Sequence, residues 1–216
     1  MSPSFLSRLA RTSLCGVLAL APLAAPASAA PINDKFKSNV ASFVSEHIDD
    51  WVAVYKDFHA HPELGLEETR SAGIIAAELR TLGFEVTEGV GQTGVVGILR
   101  NGKGPLVMVR ADMDALPLQE KTGLDYASTV QTDWRGENTY VMHACGHDAH
   151  MAIFLATAQT LVDMKKQWKG TLMFVAQPAE EGGGGASKMM ADDIFGRFGV
   201  PDYGFALHVG PSAYDT

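Results

Sequence analysis

Cysteine is scarce in this chain: Cys15 and Cys145 are the only two among 216 residues. Cys15 falls in an N-terminal segment that reads as a removable export signal. Cys145 is then the sole thiol expected in the mature protein, and a disulfide framework is excluded. Basic residues are also few. Lys and Arg number 17 against 25 Asp and Glu, a formal net charge of −8, which disfavours nucleic acid or an anionic membrane surface as partner. Long apolar runs are missing as well. Residues 14–25 form an apolar run of about a dozen, against the ~20 a membrane helix needs, and Pro22 interrupts it. Internal repeats are absent, and low complexity is confined to the glycines at 182–185.

What is present begins with the N-terminus. Arg8 and Arg11 give a short positive region, residues 14–25 an apolar one, and Ala27-Ser28-Ala29 a small-residue cleavage site. Cleavage is expected after Ala29, since cutting one residue later would leave Pro31 at the first mature position. Residues 1–29 are therefore expected to be a signal peptide, and the protein to be periplasmic or secreted, with no membrane association after cleavage. The segment removes two basic residues and no acidic one, so the mature net charge is about −10. The remaining ~187 residues suffice for one core of ordinary size.

Helical spacing of apolar residues predicts helices over 36–58, 69–82, about 148–168 and about 186–195, with Gly83 stopping the second. Strands are expected at 84–88, 95–100, 106–109, 172–176 and 203–209, with 112–141 as a loop-rich stretch and Asn101-Gly102 as a tight turn. Strands alternating with helices predict an α/β fold: an open, mostly parallel sheet flanked by helices on both faces. Three apolar strands finish on ionisable residues. The first runs into Arg110, Asp112 and Asp114, the second into Glu180 and Glu181, the third into His208. Sites in open α/β sheets collect outside the carboxyl ends of strands.

Cys145 and His147, two residues apart where a loop opens a helix, offer a thiol sulfur and an imidazole to a metal; the helix N-terminus favours the thiolate. The alternative is a buried free cysteine beside a capping histidine. Of Glu180 and Glu181, one can hold a metal while the other takes a proton from water, or both can be a solvated loop. Asp112 and Asp114 share a face if their strand continues. One can then coordinate, or orient a metal-bound histidine, or the two can end the strand in a turn. His208 on an apolar strand reads alone as a core histidine. His59, His61, His143 and His150 read as structural or as supports for a ligand, without a primary role.

The ordered motifs Val109-Arg110-Ala111-Asp112-Met113-Asp114-Ala115-Leu116-Pro117, His143-Ala144-Cys145-Gly146-His147-Asp148, Gln177-Pro178-Ala179-Glu180-Glu181 and Leu207-His208-Val209 closely resemble the M20 metallopeptidases. The similarity is strongest to the amidohydrolase branch of hippurate hydrolases, N-acyl-amino-acid deacylases and plant auxin-conjugate hydrolases. An earlier stretch, Phe58-His59-Ala60-His61-Pro62-Glu63-Leu64-Gly65 with Glu68-Thr69, is similar to that branch's N-terminal signature. The resemblance implies a zinc-peptidase-like catalytic domain over residues 30–216. It also implies two divalent metal ions (Zn, Mn, Ni or Co), which hydrolyse the amide of a small N-acyl amino acid. On matching positions Cys145, His147, Glu181 and His208 are ligands, Cys145 bridging the metals, and Glu180 is the general base. Asp114 orients a metal-bound histidine. Asp112 takes a position that is a ligand in related peptidases, and Asp148 and His143 stand beside the motif as supports or ligands.

Full-length members continue well past the position of His208, through a satellite domain that mediates homodimerisation and a segment that returns to the catalytic sheet with a further histidine. The expectation is therefore an N-terminal part of the catalytic domain, its sheet incomplete at the C-terminus. Such a part would have little hydrolase activity by itself; the alternative is an exported metal-binding remnant without catalytic duty.

Overall fold

The computed structural model describes residues 34–210, so the signal peptide expected over residues 1–29 lies outside the described residues. Helices α1 (Asp34–Ala60) and α2 (Thr69–Thr81) lead into strands β1 (Glu85–Val90), β2 (Gly94–Asn101) and β3 (Leu106–Asp112). A hairpin of β4 (Gln131–Trp134) and β5 (Glu137–Tyr140) precedes α3 (His147–Asp163) and a 3-10 turn (Lys165–Gln167). Then come β6 (Gly170–Gln177), α4 (Gly185–Ala191), α5 (Ile194–Phe198) and β7 (Tyr203–Ala206).

The main sheet has the order β1-β2-β6-β3-β7. β3 is parallel to β6 and to β7, β2 is antiparallel to β6, and β1 is antiparallel to β2. Four strands thus point one way and β2 alone is reversed: the open, mostly parallel sheet expected. The carboxyl ends of β3, β6 and β7 fall along one edge.

Side chains alternate between faces with a period of two, and β6 shows what this builds. Leu172, Phe174 and Ala176 enter one core with Phe58 of α1, Ile75 and Leu79 of α2, and Met151, Phe154 and Leu155 of α3. Met173 and Val175 enter a second core with Val96 and Ile98 of β2, Met189 of α4 and Ile194 of α5. Helices therefore cover both faces. Burying each such large side chain contributes about 1.5–3 kcal/mol. β7 lies at the sheet's edge with all four residues exposed, Phe205 at 62%.

Local chemistry explains the element ends. Gly83, at φ +87°, closes α2, with the Phe84 N–H on Leu79 O (3.0 Å) and the Gly83 N–H on Arg80 O (2.9 Å). At its start the Glu63 carboxylate accepts the N–H groups of Arg70 (2.8 Å) and Ser71 (2.7 Å), which otherwise have no partner in a helix's first turn.

The structure corrects several boundaries. Asn101 stays in β2 and the chain only bends from Gly102 (φ +80°), and β6 lies between β2 and β3, so the tight hairpin turn expected there does not form. The helix expected to reach residue 168 stops at Asp163, and Trp168 folds back to donate from Nε1 to Leu161 O at 2.7 Å. That return explains why apolar spacing overran the end. The helix expected near 186–195 is two, broken at Asp193 (φ +55°), whose carboxylate caps α5 through the Gly196 N–H at 3.2 Å. The stretch 112–141 contains the β4–β5 hairpin, turned by Arg135 and Gly136 at φ +58° and +86°. The last strand ends at Ala206, so His208 follows β7.

Candidate metal centre

Four segments converge at the shared carboxyl edge. Asp112 and Asp114 follow β3, Glu180 and Glu181 follow β6, His208 follows β7, and Cys145 and His147 stand at the start of α3. Gly146 makes the last junction tight. It lies at φ +83°, and a Cβ there would come within 2.3 Å of Val209 Cγ2, so the α3 start and the β7 exit can close on each other only at a glycine.

His147 is the hub. Its ring is fully buried, and Nδ1 donates to the backbone oxygen of Asp114 at 2.7 Å, with Asp114 Oδ1 at 3.3 Å. That fixes the tautomer and leaves Nε2 with a bare lone pair, buried and without a hydrogen-bond partner. An unsatisfied buried acceptor is costly unless something occupies it. Three sets of donors surround it, each with ligand atoms within 4.8 Å of one another: Cys145, His147 and His208; Asp112, His147 and His150; His147, Glu180 and Glu181. Sulfur, imidazole and carboxylate around a bare Nε2 fit divalent ions of the zinc group. His208 donates from Nδ1 to Val209 O at 2.6 Å, which turns Nε2 toward Cys145 Sγ at 3.4 Å.

The two aspartates do different work. Asp114 is 1% exposed and accepts two consecutive amides, Glu180 N–H on Oδ1 (2.9 Å) and Glu181 N–H on Oδ2 (2.8 Å). It therefore fixes both the His147 ring and the backbone of the Glu-Glu loop. Burial works against its charge, but the His147 bond and the two amides outweigh it and hold the carboxyl below its ordinary range. Asp112 receives the Arg110 guanidinium (2.6 Å) and His150 Nδ1–H (2.5 Å), and its Oδ1 lies 3.7 Å from His147 Nε2. Burial again opposes charge, but His150, His147 and Arg110 pull it down to about 2. His150 takes no bare role: its Nε2 accepts the Val209 N–H at 2.9 Å, tying the His208 segment to Asp112.

Cys145 reverses one expectation. The start of α3 was expected to favour the thiolate, yet burial and the carboxylates of Glu181, Glu180 and Asp112 push the thiol up to about 12. Several full negative charges outweigh half a helix-end charge.

Two candidates sit apart from the donor sets among the described residues. Asp148 accepts from His59 Nδ1 at 2.6 Å and from the Ala149 N–H at 2.8 Å, so it braces the first turn of α3 and is not placed as a ligand. His143 is buried with both ring nitrogens unpartnered, and burial together with the nearby His147 and His59 pushes its pKa down to about 3. An apolar cavity of about 560 Å³ beside β3 and β7, lined by Val107, Val109, Ile153 and Phe205, touches this network through Arg110 and His150.

Residues 108–216 match the family model described as peptidase family M20/M25/M40. The chain belongs to this family. Hippurate hydrolase of Campylobacter jejuni subsp. jejuni serotype O:2 is 45% identical over 158 residues, 73% of this chain and 38% of that protein. IAA-amino acid hydrolase ILR1-like 5 of Arabidopsis thaliana is 38% identical, over 76% of this chain and 35% of its own length. The crystal structure of the Bacillus subtilis YXEP protein, described as a dinuclear metal binding peptidase of the M20 family, superposes with a TM-score of 0.65 at 33% identity. The match covers 81% of this chain and 44% of that one. The chain thus spans less than half the length of these M20 relatives.

Reading the sequence missed two supports of the M20 site, Glu68 and Glu120, and gave His59 a supporting role without its partners. Glu68 accepts the Ala179 N–H at 2.7 Å. His59 bridges Asp148 and Glu120, donating from Nδ1 at 2.6 Å and from Nε2 at 3.0 Å. Burial opposes a charge on His59, but Glu120 and Asp148 prevail and raise its pKa. Glu120, within the expected loop, also accepts the Ser128 N–H at 2.6 Å. His59 and Glu68 carried one signal, their place in the N-terminal signature. Glu120 carried none.

Proposed function

We propose that this chain holds the metal-binding machinery of an amide hydrolase acting on small N-acyl amino acids. The observation that carries the reading is the bare, buried Nε2 of His147, encircled by donors from four segments. The names of its relatives support the substrate class: hippurate and indole-acetyl amino acids both place an acyl group on an amino-acid nitrogen. Cys145, His147, Glu181 and His208 would hold the ions, with Asp112 facing the same imidazole. The relative described as dinuclear supports a pair of ions, and the donor set suits Zn, Mn, Ni or Co.

When bound, such cations supply a water made acidic near neutrality and a polarised amide carbonyl. The remaining work belongs to the chain. Glu180 accepts the proton of the attacking water and delivers it to the leaving amine, a transfer worth about 10²–10⁴-fold in rate. Asp114 keeps His147 in the tautomer that leaves Nε2 free and holds the amides that present both glutamates. Asp148 and His59 brace the turn that carries Cys145 and His147. Residues 1–29 are carried as an export signal, which would place this chemistry in the periplasm or outside the cell.

The test is hydrolysis of hippurate and N-acetyl amino acids by the chain reconstituted with Zn or Mn, beside Glu180→Gln. Turnover that is slow, as expected of an N-terminal part, yet lost in the variant with both ions retained supports the reading. Two bound ions with no turnover by either chain would favour a metal-binding module instead. A chain that takes up no ion contradicts both.

A further inference from the structure

The N-terminal signature reaches the site at a place the proposed chemistry leaves unexplained. Glu68 directly precedes α2, is 0% exposed, and uses both oxygens far from its own helix. Oε2 accepts the Thr93 hydroxyl at 2.5 Å, and Oε1 accepts the Ala179 N–H at 2.7 Å. Burial raises its pKa, so keeping a carboxyl here opposes stability unless those bonds return something.

Ala179 is an unusual residue to hold. It is a non-glycine at φ +46°, a left-handed conformation that costs free energy and persists only where its surroundings enforce it. It also comes directly before Glu180. The Glu180 and Glu181 amides go to Asp114, so three consecutive N–H groups, 179 to 181, each end on a buried carboxyl. Gly65 presses on the same point: a Cβ there would lie 3.1 Å from both Ala179 Cα and Ala179 Cβ. The chain then turns at once, with the Gly182 N–H on Glu180 O (2.7 Å) and the Gly185 N–H on Ala179 O (3.1 Å). The two glutamate side chains project from this loop and are exposed. Their direction is set by the backbone beneath them.

We propose that Glu68 is a positioning residue for the Glu180–Glu181 pair: it holds the Ala179 amide, and with Gly65 it keeps that residue left-handed, so that both carboxylates face His147. The metal part of this inference rests on the proposed hydrolase reading; the backbone part does not. A glutamine can accept the same amide and face the same hydroxyl, whereas alanine cannot.

The experiment compares the full chain with Glu68→Gln, Glu68→Ala and Gly65→Ala. It reads amide hydrogen exchange at residues 179–181 and Zn(II) affinity by chelator competition. In Glu68→Ala, exchange at the three amides should rise at least about tenfold, as expected when a local tether opens. The weaker-bound ion should lose about 10–100-fold in affinity, the usual cost of removing a group that orients a ligand. Glu68→Gln should restore both to within about threefold of the parent. Gly65→Ala, which crowds Ala179 without touching Glu68, should weaken the same ion and keeps the test alive if Glu68→Ala does not fold. A folded Glu68→Ala chain with parental exchange and affinity overturns the proposal, and so does a Glu68→Gln chain as impaired as alanine. If the parent binds no second ion, the hydrolase reading fails, while the exchange measurement still decides the role of Glu68.

Discussion

The residues that hold the site and the residues offered to a ligand form two populations. Asp112, Asp114, Glu68, His59, Asp148 and His150 are all buried, and their polar atoms end on protein groups. Glu180, Glu181 and His208 are exposed, Cys145 is half-buried, and the buried His147 keeps one nitrogen bare. The contrast teaches that carboxylates near a cation site need not be ligands. Here the buried ones accept backbone amides and imidazole N–H groups, whereas the exposed Glu181 meets only another ligand candidate, the Cys145 thiol. A buried charge survives only when bonded, so full bonding marks the frame and free valence marks the donors.

Removing a frame member should cost stability first. Asp114→Ala leaves the Glu180 and Glu181 amides without their acceptor and takes the carboxylate from beside the His147 ring, which keeps only the backbone oxygen. It should lose about 3–5 kcal/mol in chemical denaturation, the usual cost of breaking a buried charged network. A loss under about 1 kcal/mol would dissolve the distinction. Removing a donor should act the other way. Cys145→Ser should stay within about 0.5 kcal/mol of the parent in stability, while chelator competition shows zinc affinity down by at least about tenfold. Unchanged affinity there would return Cys145 to an idle thiol.

His59 sharpens the comparison through pH. Its pKa is raised in the folded chain by Glu120 and Asp148 against the opposing effect of burial. The bridge therefore stabilises fully below the unfolded value of about 6.5, and that part fades as pH rises through the folded value. His59→Phe should flatten this dependence in denaturation curves recorded upward from about one pH unit below the unfolded value. A parental slope in the variant would mean that His59 is neutral in the fold. The smallest effect is expected for Glu180→Gln, an exposed change that should leave stability within about 0.5 kcal/mol and both ions bound.

How much of this was legible depends on how far apart the interacting residues lie. Spacing located α2, α3 and the sheet strands, because period 3.6 and period 2 are local properties. Strands ending on Asp112, Glu180 and His208 also pointed to one crevice, since parallel strands share a carboxyl edge. Insertion of β6 between β2 and β3 was not legible, because pairing is a choice among strands with the same apolar pattern. The β4–β5 hairpin escaped because Arg135-Gly136 is a weaker turn signal than Asn-Gly and its strands are only four residues each and mostly polar. The frame was least visible. Glu68 meets Ala179 across 111 positions and His59 meets Asp148 across 89, and no local rule couples residues at such distance.

The central claim is that donors at the α3 start, in the Glu-Glu loop and after β7, held by a buried frame that includes Asp112, make one two-cation centre around His147 Nε2. Zinc titration of the purified chain against a competing chelator, beside His147→Gln, tests it most directly. The account predicts two ions per parent chain and loss of tight binding in the variant, with the fold retained by circular dichroism. A His147→Gln chain that still binds two ions at parental affinity would contradict it.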